Sequence, residues 1–368
     1  MRFTVSTKPL KNALGLCIIN ANVSKFYSKS LLVQITASAG VLTINHAATS
    51  ILSQVKLRGM DDGNSASIMV DSLLLKQLIS TLTSSEVEFE FTDNALVIHA
   101  GRSSFSLPKL MDTSEAQLPT PESIGQAELE SAEEVTKADW KFIKEHQMFA
   151  KSDSTVNPVY TYVWVSENGD VLVGDYVNSL FTHSTVSQLG ETCLLTDTVI
   201  SLFNNLPDGA KLVKHNAKYF ISVNTDGFEY LSEFTPLYES DEIGNYNADI
   251  IMGMMIPDES AVAQVNVSDI NTVLNQATLL SSDREPQITC TFEKNQIKFK
   301  DARINCTVQI EGGPATSYEL TFKPSALKSV ISNCPEPKIN ISPTMNEDEV
   351  VGITVTSGNL SVVLAGVE

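Results

Sequence analysis

The chain has 368 residues, hydrophobic residues at 42% of its positions and a formal net charge of −19. This length predicts two or three domains, and no apolar run reaches the roughly 18 residues of a membrane-spanning helix. The opening Met-Arg-Phe-Thr-Val lacks the apolar core of a signal peptide, so a cytoplasmic protein is expected. The five cysteines contain no Cys-x-x-Cys pair, which argues against a zinc site and against a disulfide framework.

The same order of elements occurs three times along the chain. Each copy contains a strand, an amphipathic helix, a strand hairpin, a strand, a second helix and a strand hairpin. The first helices are predicted over residues 7–20, 136–151 and 268–281, and the second helices within 68–82, 194–206 and 320–334. A repeat of this kind predicts an α+β fold with three repeated domains, each built from two helices and antiparallel sheets.

Each second helix follows an apolar strand and begins at a helix-start signal. These signals are Asp71, Thr196 with Asp197, and Lys323-Pro324. The predicted buried stripes are Leu74, Leu78 and Leu82 in the first copy, Val199 and Phe203 in the second, and Leu327 and Ile331 in the third.

The predicted domains comprise residues 1–124, 125–256 and 257–368. Residues 112–125 contain Pro119 and Pro121, three acids and no Lys or Arg, as a solvated linker would. The second boundary is placed at Pro257, after an acidic stretch that contains glycine.

The acidic balance argues against nucleic-acid binding unless the basic residues are clustered, because affinity for DNA comes largely from neutralising phosphates. At 100° per residue, the lysines of the helix predicted over 136–151 fall within one narrow stripe that contains no acid. The candidate phosphate-binding residues are Lys137, Lys141, Lys144 and Lys151 on that helix, Lys8 and Lys11 on the first helix, and Lys76 and Lys328 in equivalent positions of two second helices.

Lysines on helix faces suit sequence-independent, salt-sensitive contact with the backbone of double-stranded DNA. The alternative is an ordinary solvated face. The first helix of the third copy has Asn271, Asn275 and Gln276 where lysines would be expected, and the helix predicted within 194–206 has no lysine.

Three short segments resemble the bacterial-type β sliding clamp, the processivity factor of DNA polymerase. They are Met-Arg-Phe-Thr-Val at 1–5, Ala-Gly-Arg-Ser-Ser-Phe-Ser-Leu at 100–107 and Ala-Thr-Leu-Leu-Ser-Ser-Asp at 277–283. The resemblance implies a non-enzymatic, cofactor-free homodimer whose protomers join head to tail into a ring, with helices lining the hole. It also implies that Phe105 of one protomer packs against Leu279 and Leu280 of the other, and that DNA polymerase and a clamp loader are partners.

The resemblance further implies an apolar pocket between the second and third domains for short motifs of partner proteins. The matching positions are Tyr160, Gly174, Leu180, Pro257, Val350, Val362, Leu364 and Ala365. The C-terminal Ser-Val-Val-Leu-Ala-Gly-Val-Glu departs from the family's ending, and residues 175–180 depart from its usual stretch. A divergent motif preference is therefore expected, which suits a viral or otherwise distant clamp.

Two other classes of function stay open. No phosphate-binding loop, nucleophile elbow or paired metal-ligand motif occurs, and the five histidines are dispersed. A metal-dependent nuclease would need carboxylates that nothing in the sequence positions. A structural repeat or assembly protein would have the same repeats and a merely solvated lysine stripe.

Overall fold

The computed structural model describes residues 1–18, 31–48, 50–111, 117–146, 158–174, 178–182, 187–254, 258–280, 286–346, 349–358 and 360–367. Its α-helices are α1 (Thr7–Cys17), α2 (Ser72–Thr81), α3 (Gln126–Ser131), α4 (Lys137–His146), α5 (Asp197–Asn205), α6 (Ala248–Met254), α7 (Val267–Leu280) and α8 (Pro324–Ser332). The strands are β1 (Arg2–Ser6), β2 (Leu32–Ser38), β3 (Val41–Ala47), β4 (Ile51–Arg58), β5 (Met60–Asp61), β6 (Ala66–Asp71), β7 (Glu86–Phe91), β8 (Ala95–Ala100), β9 (Ser103–Pro108), β10 (Glu133–Glu134), β11 (Val163–Val165), β12 (Val171–Gly174), β13 (Asn178–Thr182), β14 (Cys193–Leu195), β15 (Lys211–His215), β16 (Lys218–Asn224), β17 (Glu229–Phe234), β18 (Ala263–Asn266), β19 (Ile288–Glu293), β20 (Gln296–Lys300), β21 (Asn305–Gln309), β22 (Glu311–Gly312), β23 (Tyr318–Phe322), β24 (Lys338–Asn346), β25 (Glu349–Ser357) and β26 (Leu360–Ala365).

The chain divides into two compact units. The first consists of Met1–Lys144 with Leu195–Leu237, and the second of Glu145–Leu194 with Tyr238–Glu368. The first unit contains a five-stranded sheet, β5-β1-β7-β8-β9, and an eight-stranded sheet, β10-β15-β16-β17-β4-β3-β2-β6. The second contains a nine-stranded sheet, β14-β11-β12-β13-β26-β25-β24-β18-β22, and a four-stranded sheet, β21-β20-β19-β23. The strands pair antiparallel, which confirms the predicted α+β class.

The strand orders repeat three times. The order β4-β3-β2-β6 recurs as β13-β12-β11-β14 and as β21-β20-β19-β23, while β1-β7-β8-β9 recurs as β10-β15-β16-β17 and as β18-β24-β25-β26. Within the eight-stranded sheet the two kinds of set join through β17 and β4, and within the nine-stranded sheet they join through β26 and β13. The repeat predicted from sequence is therefore present, whereas the domain boundaries stay a prediction.

The second helix of each copy begins where the sequence predicts. The Asp71 side chain accepts a hydrogen bond from the Leu74 N–H at the start of α2, and Thr196 does the same for the Val199 N–H at the start of α5. Both side chains satisfy a backbone donor that the first helical turn leaves unpaired. Pro324 is the first residue of α8, where its missing N–H and fixed φ cost nothing.

The predicted buried stripe of the first copy is correct at Leu82 and wrong at Leu74. Leu74 is 51% exposed, whereas Leu75 and Ile79 are fully buried. Because Leu73, Leu74 and Leu75 are consecutive, the helical period could not by itself select the inward-facing leucine. The stripes of the other two copies, Val199 with Phe203 and Leu327 with Ile331, are buried as predicted.

The core of the second repeat is aromatic. The Trp140 ring of α4 stacks on Phe203 of α5 with 3.6 Å between ring centroids, and Phe203 meets Phe234 of β17 edge-to-face at 5.5 Å. Trp140 is 1% exposed, so it lies in the core. Each such aromatic contact adds about 0.5–1.5 kcal/mol beyond the burial of area. This stack fixes α4 against α5 and thereby sets the direction of the α4 lysines.

The cysteines are free thiols, and Cys17, Cys193 and Cys290 are buried. Among the described residues, no helix combines the length and the hydropathy that crossing a bilayer would require.

Candidate functional site

Two of the candidate lysines cap helices. The Lys11 ammonium of α1 donates to the carbonyl of Leu82, just beyond the end of α2, at 2.5 Å. The Lys76 ammonium of α2 donates in return to the carbonyl of Ile18, just beyond the end of α1, at 2.5 Å. A cation at a helix C-terminus satisfies an orphan carbonyl and interacts favourably with the helix dipole. Both lysines were predicted to contact DNA, and in the structure both ammonium groups bond to a carbonyl at a helix end.

Lys76 is the more deeply placed of the two. Burial lowers the pKa of its ammonium, and the neighbouring Cys17 thiol acts in the opposite direction. An ammonium in this position has lost part of its hydration, so the bond to the Ile18 carbonyl offsets part of a desolvation cost. Lys8, in contrast, is exposed on α1 and makes no ion pair or side-chain hydrogen bond within the described part of the chain.

We expect Lys76→Met to lower the free energy of unfolding by about 1–2 kcal/mol, because it removes a charge-assisted hydrogen bond and leaves the Ile18 carbonyl without its partner. Chemical denaturation followed by circular dichroism measures the change. Lys8→Met is the matched control and should stay within about 0.5 kcal/mol of the parent protein. Equal effects of the two substitutions would show that Lys76 has no capping role.

The lysines of α4 face acids contributed by a neighbouring segment. Lys137 pairs with Asp208 at 2.7 Å, and Lys144 pairs with Asp197 at 2.8 Å and donates to Ser201 at 3.1 Å. The Lys137 ammonium holds the pKa of the Asp208 carboxyl below its usual range. Lys141 is exposed on the same helix, and Lys151 lies outside the described residues.

These ion pairs leave the α4 lysines open to other anions. The side chains of Lys137 and Asp208 are 40% and 96% exposed, and those of Lys144 and Asp197 are 36% and 42% exposed. Exposed pairs of this kind contribute only about 0–1 kcal/mol and weaken with salt. A phosphate could therefore replace either carboxylate at little cost. The sequence did not indicate Asp208 and Asp197 as partners of these lysines, because both acids follow α4 by more than fifty residues.

The third repeat supplies less positive charge. Lys328 lies half-buried on α8, and within the described residues it has no ion pair or side-chain hydrogen bond. In α7, Asn271 accepts a hydrogen bond from Ser332 of α8 at 3.0 Å, so this position serves helix packing. The helices α1, α2 and α8 contain lysine and no acid, whereas α5 and α7 contain one aspartate each and no lysine.

Six of the eight candidate pocket residues lie on four neighbouring strands of the nine-stranded sheet, β12, β13, β26 and β25. Leu180 of β13 pairs with Val362 of β26, and Gly174 of β12 pairs with Ser179, which in turn pairs with Val363. Ala365 ends β26 opposite Gly352 of β25, the strand that carries Val350. Tyr160 lies on a 3-10 turn, Pro158–Thr161, and Pro257 lies outside the described residues.

Among the candidate pocket side chains that the structure describes, three are buried. Tyr160 is 8% exposed, Val362 1% and Leu364 3%, while Val350 and Ala365 are half-buried. The pocket stays a prediction. Tyr246 was not predicted as part of this cluster. Its hydroxyl donates to the Gly174 carbonyl at 2.7 Å, and its ring meets the Tyr160 ring edge-to-face with 5.3 Å between centroids. The only sequence signal for it was an isolated aromatic residue in an acidic stretch.

The candidate dimer residues are exposed apolar side chains. Phe105 is 36% exposed on β9, an edge strand of its sheet, and Leu279 and Leu280 are 83% and 46% exposed at the end of α7. They are therefore not core residues of the protomer. Arg303, which precedes β21, donates to the Leu280 carbonyl at 2.5 Å and ties the end of α7 to that edge.

Solved structures of bacterial proteins share this fold. The β subunit of DNA polymerase III from Thermotoga maritima is 14% identical and superposes with a TM-score of 0.77, covering 100% of this chain and 99% of that one. The Bacillus subtilis DNA polymerase sliding clamp is 15% identical with a TM-score of 0.74 and the same coverage. The Helicobacter pylori β clamp bound to a DNA ligase peptide is 16% identical with a TM-score of 0.69, covering 100% of both chains.

The chain has the β sliding-clamp fold. The likeness extends over its full length, as the sequence resemblance implied, although identity is only 14–16% to these three clamps. No protein-family model matches the sequence, and no curated protein matches it. The chain thus shares the clamp fold at very low sequence identity, and β9 and β21 are edge strands of the five-stranded and four-stranded sheets.

Proposed function

We propose that this protein is a DNA sliding clamp, a non-enzymatic homodimeric ring that encircles double-stranded DNA and tethers DNA polymerase and other partners. The observation that carries the proposal is the threefold repeat of strand order, which leaves two strands, β9 and β21, each with one unpaired edge among the described residues. In two places a strand equivalent to β9 pairs with a strand equivalent to β21, as β17 with β4 and β26 with β13. Among the described residues, β9 and β21 themselves are edge strands.

Two protomers joined head to tail would give these edges the partner that each lacks. An unpaired edge presents a row of backbone donors and acceptors that favours pairing with another chain. Phe105 on β9 and the two leucines beside β21 would supply apolar area to the same contact. A heterologous contact that closes after two protomers forms a ring.

The helices would provide the inner surface of that ring. The candidate contacts to DNA are Lys8, Lys11, Lys76, Lys137, Lys141, Lys144, Lys151 and Lys328, and the capping bonds make Lys11 and Lys76 the weakest candidates. Phosphate contacts of this kind are independent of sequence and fall with salt. Topological linkage removes the need for tight binding, so the ring could slide.

Partner motifs would bind the strand cluster that contains Gly174, Leu180, Val362 and Leu364. The DNA ligase peptide bound by the Helicobacter pylori clamp is an example of such a partner segment on a protein with this fold. A clamp loader and a DNA polymerase are the other partners that this function requires.

Light scattering over a range of protein concentrations tests the ring first. We expect a mass of twice the 40.1 kDa of the chain. Protein reassembled around nicked circular DNA should then stay bound in high salt and be lost when a restriction enzyme linearises the circle. Magnesium-dependent DNA cleavage would favour a nuclease instead, and assembly without retention on circular DNA would favour a structural repeat protein.

A further inference from the structure

Tyr246 is the single buried residue in the stretch 238–250, which connects the second and third repeats. It is 0% exposed, whereas Glu239, Asp241, Glu242 and Asn245 around it are exposed. Tyr246 is therefore the point at which the stretch before α6 is held to the protein, because burying a tyrosine removes a large apolar area from water, and the buried Ile251 holds α6 itself.

The contacts of Tyr246 fall on the candidate pocket. Its hydroxyl donates to the Gly174 carbonyl at 2.7 Å, and its ring meets the Tyr160 ring edge-to-face with 5.3 Å between centroids and 87° between planes. Its own N–H donates to Glu239 Oε1 at 2.8 Å, which fixes the local turn. Gly174 belongs to the strand cluster that the proposed function assigns to partner binding, and Tyr160 is one of the pocket positions that the sequence resemblance implies.

The rest of the candidate strand cluster adjoins these contacts. Gly174, Ser179 and Val363 form one row across three adjacent strands, so the Gly174 carbonyl lies about 10 Å from β26 at the usual strand spacing. Tyr246 therefore contacts the β12 side of the cluster, where Tyr160 is 8% exposed.

We propose that Tyr246 is an internal occupant of the partner-motif pocket, and that a partner segment binds only when Tyr246 leaves. This inference rests on the proposed function, since it concerns the pocket through which a clamp holds its partners. The linker acts as a competitor tethered to its own site. The apparent affinity for a partner is reduced by the fraction of molecules in which Tyr246 has withdrawn.

Fluorescence anisotropy with a labelled DNA ligase peptide, of the kind bound by the Helicobacter pylori clamp, tests the competition. Tyr246→Phe keeps the ring and removes the hydrogen bond to Gly174, so we expect peptide binding to tighten about threefold or more. Tyr246→Ala should tighten it about tenfold or more. The matched control is Tyr238→Phe, which removes an exposed hydroxyl bonded to Glu191 in the same linker and should change nothing.

A second measurement needs no partner. The Tyr160 ring, which meets the Tyr246 ring, should be nitrated slowly by tetranitromethane in the parent protein and at least about tenfold faster in Tyr246→Ala, with this labelling followed by peptide mass mapping. Unchanged labelling, or peptide binding that stays equal or weakens in a folded Tyr246→Phe protein, would overturn the role of Tyr246. If no variant binds the peptide while labelling accelerates as expected, Tyr246 covers the site and the assigned peptide-binding function is what fails.

Discussion

Replacing Leu279 and Leu280 with Asp should convert the dimer into folded monomers. Both side chains are exposed in the protomer, so the substitutions cost the isolated chain little. In the proposed ring they would replace apolar contacts with two buried carboxylates, which costs several kcal/mol. A loss of about 3 kcal/mol alone weakens association more than a hundredfold. Light scattering should then give the mass of one chain, 40.1 kDa, where the parent protein is expected to give twice that value.

Ile250→Asp is the matched control for this experiment. Ile250 is an exposed branched apolar residue at 59%, and it lies on α6, which belongs to none of the three repeated strand sets. We expect the control to remain dimeric, and both proteins to keep the circular dichroism spectrum of the parent. A Leu279→Asp, Leu280→Asp protein that stays fully dimeric would refute the assignment of these leucines to the interface.

Replacing Lys137, Lys141 and Lys144 with Glu should abolish most of the productive contact with DNA while the fold remains. Each phosphate contact contributes about 0.9 to the slope of log affinity against log salt, so loss of three contacts should lower that slope by about 2–3. Binding to a linear duplex at low salt measures the slope, and the processivity of the partner polymerase measures the function. A triple variant with Gln at the same positions removes the attraction to phosphate without adding negative charge. Glu at 137 or 144 would in addition repel Asp208 or Asp197 within the protein.

The charge-matched control replaces Lys214, Lys294 and Lys338 with Glu. These lysines are exposed on strands or in a turn, and the change in net charge is the same as in the helix variant. A general effect of net charge would reduce DNA binding equally in both triple variants. Full processivity of the helix variant would exclude these lysines from the DNA contact.

The sequence determined the features that depend on neighbours along the chain. The helix starts at Asp71, Thr196 and Pro324 follow from hydrogen bonds and φ preferences within one turn, and the structure confirms all three. The strand hairpins and the threefold order follow in the same way from alternation and turn residues. The exposure of Phe105, Leu279 and Leu280 could not follow from sequence, because an apolar residue in an amphipathic pattern has the same signal in a core and at an interface.

Tertiary structure decided the features that join residues distant in the chain. The choice of Leu75 over Leu74 depends on how α2 packs, and the bonds of Lys11 and Lys76 depend on each helix ending beside the other. The acids opposite α4 come from Asp197 and Asp208, more than fifty residues away from their lysines. Likewise, only the fold brings Tyr246 to Gly174, across 72 residues. Periodicity and capping act over a few residues and are visible in one sequence, whereas these contacts require the packed chain that brings their partners together.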